Sequence, residues 1–70
     1  MFDYIKTYYK LPFIKKNMDV EFEGKKGKIT GARGQYLKIM LEGQKQAGYY
    51  HPTYNLKYFD QNGQEIPYKS

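Results

Sequence analysis

The spacing of apolar residues along the chain changes once. Between Phe2 and Leu11 it is helical: Phe2, Ile5 and Tyr9 follow i, i+3, i+7, with Tyr8 beside them and Lys6 and Lys10 on the wetter side. Asp3 lies where a carboxylate favours a helix N-terminus. Pro12 is expected to end the helix, because the residue before a proline is pushed toward extended geometry. Two or three turns are too short to be stable alone, so the helix is expected to cap an open end of the remaining structure. Its stripe is too short and too rich in tyrosine for a membrane-surface helix.

From Asp19 the period is two. Val20 and Phe22 alternate with Asp19, Glu21 and Glu23, which predicts a strand with one buried face. Gly24-Lys25-Lys26-Gly27 reads as a turn, and Lys28-Ile29-Thr30 as the start of a second strand that Gly31-Ala32-Arg33-Gly34 breaks. Tyr36 to Glu42 forms a third strand, with Leu37, Ile39 and Leu41 on one face and Lys38, Met40 and Glu42 on the other. Gly43 to Gly48 is a polar connection. Tyr49, Tyr50 and His51 make a fourth short strand, Pro52-Thr53-Tyr54-Asn55 a tight turn, and Leu56 to Phe59 a fifth strand. Asp60-Gln61-Asn62-Gly63 is a turn closing on Asn-Gly. Residues 64–70, with Pro67, form either an edge strand or a loose tail.

Five short strands at roughly eight-residue spacing predict a mainly β fold. The expected architecture is a small five-stranded barrel of the Src-homology-3 type with a short N-terminal helix, because closing a sheet on itself removes exposed edges. A ribosomal-type or oligonucleotide-binding barrel with another strand order fits the same pattern. The 70 residues suffice for one domain: helix and cap over 1–12, barrel over 13–60, turn and tail or edge strand over 61–70.

Composition sharpens this picture. Without cysteine no disulfide can staple the chain and no thiolate can act as ligand or nucleophile. The core must then come from nine tyrosines, four phenylalanines and a few aliphatics. Tyrosine buries an apolar body and leaves its hydroxyl at a wet edge, which suits a shallow barrel interior. Most of the rings are therefore expected to pack, with two or three left as an exposed stacking surface. Twelve basic residues against seven acidic ones give a net charge of +5, which favours polyanions. Arg33 is the one arginine, so the charge suits backbone attraction better than bidentate reading of bases. No apolar run approaches a membrane span, and a cytoplasmic location is expected.

Catalysis requires a nucleophile, a base and a group to orient them, or a metal. His51 is the only imidazole and Ser70 the only serine. His51 is expected to brace the Pro52 turn through a ring hydrogen bond. Asp19, Glu21 and Glu23, two residues apart, have a spacing that could hold a hard cation, but it is also that of the wet face of a strand, and no metal or cofactor is expected. Gly24 to Lys28 lacks the Gly-Lys-Ser/Thr signature and the following helix of a phosphate loop. The expectation is a binding module, not an enzyme.

Residues 16–42 resemble the KOW motif of ribosomal proteins and transcription elongation factors. Lys16, Val20, Phe22, Gly24, Gly27, Ile29 and Gly31 stand where the motif has a basic lead-in, an alternating strand, a Gly-x-x-Gly turn, an aliphatic residue and a second glycine. Asn17-Met18-Asp19 replaces the glycine-aspartate pair of many members. The whole chain is similar to small proteins carried by bacteriophages and other bacterial mobile elements. That likeness rests on the tyrosine-rich helix ending in Leu11-Pro12, the Val20–Ile29 strand pair and His51-Pro52-Thr53, and implies a helix-plus-barrel fold without implying an activity.

Two partner classes follow. For nucleic acid, Lys25, Lys26, Lys28 and Arg33 are expected to cluster on consecutive turns, extended by Lys15 and Lys16, with Tyr36, Tyr49 and Tyr50 as stacking rings. For a host or phage protein, Tyr49, Tyr50, Tyr54 and Tyr58 would line a groove for an extended peptide. An open edge near Gln64 to Tyr68 would offer a third role, pairing with a second copy.

Overall fold

A computed structural model describes residues 2–68. One short helix, α1 (Phe2–Tyr8), precedes six strands: β1 (Asp19–Phe22), β2 (Lys25–Arg33), β3 (Tyr36–Leu41), β4 (Gly48–Tyr50), β5 (Leu56–Phe59) and β6 (Glu65–Ile66). They form one antiparallel sheet of order β4-β3-β2-β1-β5-β6. The mainly β architecture and the short helix agree with the sequence. The strand count is six rather than five, because Ile66 and Glu65 pair with Tyr58 and Phe59. Among the described residues the edge strands β4 and β6 are not bonded to each other, so the sheet does not close through its edges.

The helix ends earlier than Pro12 dictates, and for a different reason. Leu11 N–H bonds the Lys6 carbonyl at 3.0 Å while Lys10 takes a left-handed conformation, φ 57°. That is the six-to-one bond of a Schellman turn, and it folds Leu11 back into the core. Leu11, Ile14 and Met18 then bury their side chains on the same cluster as Ile5 of α1.

The first hairpin corrects the expected Gly24–Gly27 turn. Phe22 pairs with Lys25, leaving Glu23 and Gly24 as the loop, both with positive φ (49° and 87°). Two positive central residues define a type I′ turn, whose twist matches the flanking strands. Gly27 therefore lies inside β2. It is glycine because the chains crowd there: a Cβ would meet the Met40 carbonyl oxygen at 2.5 Å and Leu41 Cα at 2.9 Å.

The expected break at Gly31–Gly34 is a bulge followed by a turn. Pairing of β2 with β3 shifts between Ile29 and Gly31, and Thr30 Oγ1 donates to the Lys38 carbonyl at 3.2 Å. One inserted residue reverses side-chain parity. Ile29 and Ala32 consequently both face inward, opposite Ile39 and Leu37, and Arg33 emerges outside.

The inner face carries Val20, Ile29, Leu37, Ile39, Leu41, Leu56 and Tyr58. The sheet curls enough for Phe22 of β1 to touch Tyr50 of β4, ring centroids 4.8 Å apart, although two strands separate them. Tyr58 is fully buried, its ring edge-on to Phe13 and Tyr68, and its hydroxyl donates to the Pro52 carbonyl. Burial, with Tyr68 nearby, pushes the Tyr58 phenol well above its ordinary value.

Gly27→Ala should cost about 1–3 kcal/mol in urea denaturation, since the added methyl has no room. Gly31→Ala, with open space at its Cβ, should be near neutral. A second expectation concerns alkaline pH. Below about pH 10 the Tyr58 phenol is neutral in both folded and unfolded chains, and its contribution to stability is fully present. Above that value the unfolded phenol ionises while the folded one stays protonated, so stability is lost as pH rises. Denaturation midpoints measured at rising pH should fall beyond about 10. Tyr58→Phe should shallow that fall while costing about 1 kcal/mol at neutral pH for the lost hydrogen bond.

Candidate nucleic-acid interface

Residues directly opposite each other in antiparallel strands share a face, so the register lays out the outer surface. On β2 and β1, Lys28 faces Asp19 and bonds it at 2.7 Å. Lys26 faces Glu21, which also approaches Lys57 of β5 at 3.9 Å. Glu23 leaves the strand for the hairpin turn and accepts from Asn55 Nδ2 at 3.1 Å. The three carboxylates expected on one strand face are thus held separately by Lys28, Lys57 and Asn55. Among the described residues no group of three His, Cys, Asp or Glu side chains could hold a metal ion.

At the other end of β2 and β3 the pattern changes. Arg33 faces Tyr36, and Lys38 has Gly31 on one side and Tyr49 on the other. No carboxylate occupies these facing positions, and Arg33 and Lys38 belong to neither of the two ion pairs among the described residues. Tyr36 and Tyr49 are 42% and 49% exposed. Two rings and two cations therefore sit across β2, β3 and β4 at facing positions that hold no carboxylate.

The expected basic cluster assembles only in part. Lys25, Lys26, Lys28 and Arg33 do not sit on consecutive turns. All four lie on β2, with about 26 Å of strand between its first and last residue at ~3.3 Å per residue. Lys15 shares a hollow with Asp60, Gln61 and Asn62 of the β5–β6 turn, across β1 from Arg33. Lys16 is exposed in the turn before β1. Tyr50 is not a stacking ring: it faces inward opposite Leu37 and packs on Phe22. The peptide groove expected from Tyr49, Tyr50, Tyr54 and Tyr58 does not form either, since Tyr58 is in the core and Tyr50 points inward while Tyr49 points out.

Two groups were missed by sequence reasoning. Lys38 is the first: strand alternation places it beside Tyr36 on the outer face, but only the pairing of β3 with β2 and β4 shows that no carboxylate faces it. The second group is on α1, where Tyr4 and Tyr8 lie outside, ring planes 9° apart and centroids 5.4 Å apart. Tyr8 meets Tyr9 edge-on at 4.9 Å, and Tyr9 meets His51 likewise at 5.1 Å. Desolvation raises the Tyr9 phenol above its ordinary value, and neighbouring Tyr4, Tyr8 and Tyr36 add to the effect. Tyr4 and that turn line one open hollow, with Arg33, Gly34, Gln35 and Tyr36.

His51 takes the bracing role expected of it. Its Nδ1 accepts from Thr53 N–H at 3.2 Å and lies 3.1 Å from Thr53 Oγ1. The neutral tautomer consistent with that backbone donor carries its proton on Nε2, which is 3.4 Å from the Tyr9 hydroxyl. The ring thus ties the β4–β5 turn to the end of the helix.

Comparison with protein-family models, curated proteins and solved structures returned no match. Among the described residues no helix is long and apolar enough to cross a membrane.

Proposed function

We propose that the chain is a non-enzymatic module that binds the sugar-phosphate backbone and bases of RNA or DNA through the outer face of β2, β3 and β4. The observation that carries this reading is the placement of Arg33, Tyr36, Lys38 and Tyr49 at facing positions that hold no carboxylate. Cations attract phosphates without regard to sequence, and exposed rings give successive bases a surface on which to stack. The net charge of +5 supplies long-range attraction of the same sign. The single imidazole is engaged with Thr53 and Tyr9, which favours a structural role over a catalytic one.

The same reading takes the curled sheet as a Src-homology-3-type, KOW-like barrel of a phage or mobile element. The return of β5 to pair with β1 supports it. So does Asn17, whose φ of 69° is a conformation that glycine adopts freely, in the stretch where many KOW members carry glycine. The alternative, a protein-interaction module, keeps exposed Tyr54 and the helix tyrosines as its contact candidates.

The test is binding of labelled RNA and DNA oligonucleotides between about 50 and 200 mM salt. Affinity should fall steeply with salt. Arg33→Gln combined with Lys38→Gln should weaken binding and flatten the salt slope by about two, one per lost phosphate contact. Lys28→Gln and Lys57→Gln, which remove cations already facing carboxylates, should leave the slope nearly unchanged. No binding at about 50 mM salt, or binding indifferent to salt, would sink the reading. A protein retained from lysate after nuclease treatment, with no oligonucleotide bound, would favour the alternative.

A further inference from the structure

The face on β2, β3 and β4 leaves Tyr4 and Tyr8 without a role. Both are more than half exposed, at 52% and 64%, on a helix that buries only Ile5. Tyr58, by contrast, is fully buried in the core. Tyr4 and Tyr8 are not scattered: they stack on each other, and Tyr4 shares a hollow with Arg33 and Tyr36 across the junction of helix and hairpin.

Resting on the proposed nucleic-acid reading, we infer that this hollow receives an unpaired base, stacked on the ring of Tyr4 beside Tyr36 with its phosphate on Arg33, so that the module selects single strands. In a duplex the faces of the bases are covered by their neighbours, and a flat exposed ring finds nothing to stack on except at an end. Tyr4 and Tyr8 are 5.4 Å apart, too close to admit a base between them, so the pair acts as one extended ring platform on which a base lies from outside. Arg33 adds charge and a planar group that itself stacks on bases, and the bulge at Thr30 is what turns it to the outer face beside Tyr36.

Fluorescence anisotropy with a labelled oligothymidine strand and with a duplex of the same length tests this. The single strand should bind more tightly. Tyr4→Ala should weaken single-strand binding about tenfold, the effect of losing one stacking partner, and leave duplex binding unchanged. Tyr4→Phe, which keeps the ring, should restore wild-type affinity, and an unchanged thermal melt would show that the exposed Ala variant still folds. Equal affinity for strand and duplex, or a Tyr4→Ala variant that binds like wild type, would overturn the inference while leaving backbone binding intact. Absence of binding to either probe would remove the nucleic-acid reading itself.

Discussion

Everything in this fold answers to one constraint: a single sheet has one apolar face, no second sheet helps cover it among the described residues, and a chain without cysteine has no disulfide to brace it. The inner face must be hidden by the sheet itself and by the segment that precedes it. The sheet curls until Phe22 meets Tyr50, and Ile5, Leu11, Ile14 and Met18 fill the space that remains. Local devices serve that end. The Schellman turn at Lys10 swings Leu11 inward, the close approach at Gly27 seats β2 tightly on β3, and the bulge at Thr30 accompanies the bend. A small chain gains little from each contact, so the few residues that admit no substitute matter disproportionately.

The same constraint sorts the tyrosines. Aliphatic side chains supply most of the buried cluster, and Tyr58 enters it only because its hydroxyl finds the Pro52 carbonyl; a buried hydroxyl without a partner would be costly. Tyr68 repeats the solution at the rim through the Leu56 carbonyl. The rings that find no such acceptor in the interior, Tyr4, Tyr8, Tyr36, Tyr49 and Tyr54, remain outside. Of these, Tyr4 and Tyr36 come together where the helix meets the β2–β3 turn, with Tyr8 stacked on Tyr4, while Tyr54 lies apart in the β4–β5 turn.

Charge is segregated by register rather than by composition. Lys26 and Lys28 lie on the outer face like Lys38, but β1 sets Glu21 and Asp19 opposite them. Lys38 and Arg33 have tyrosines and glycine as their neighbours instead. Solvent screens the exposed Lys28–Asp19 pair, and its worth to stability is small. Its consequence for binding is larger, because a lysine facing a carboxylate has less attraction left for a phosphate.

Much of this was legible in the amino-acid order, and the reason is local. Period-two runs announced β1, β3 and β5 because alternation along a strand needs no knowledge of its partner. The His51 bond to Thr53 was also within reach, being a two-residue matter. What the sequence alone could not decide depends on chains that meet at a distance. Gly27 looked like a turn residue until β3 was found pressed against it, and Gly31 looked like a break until pairing with β3 revealed a bulge. Tyr49 and Tyr50 were indistinguishable until pairing with Leu37 and Lys38 sent one inward and the other out. Which lysines remain unopposed, and which tyrosines face water, follow from register and curl. These are set by the balance of burial over the whole sheet, to which no single segment has access.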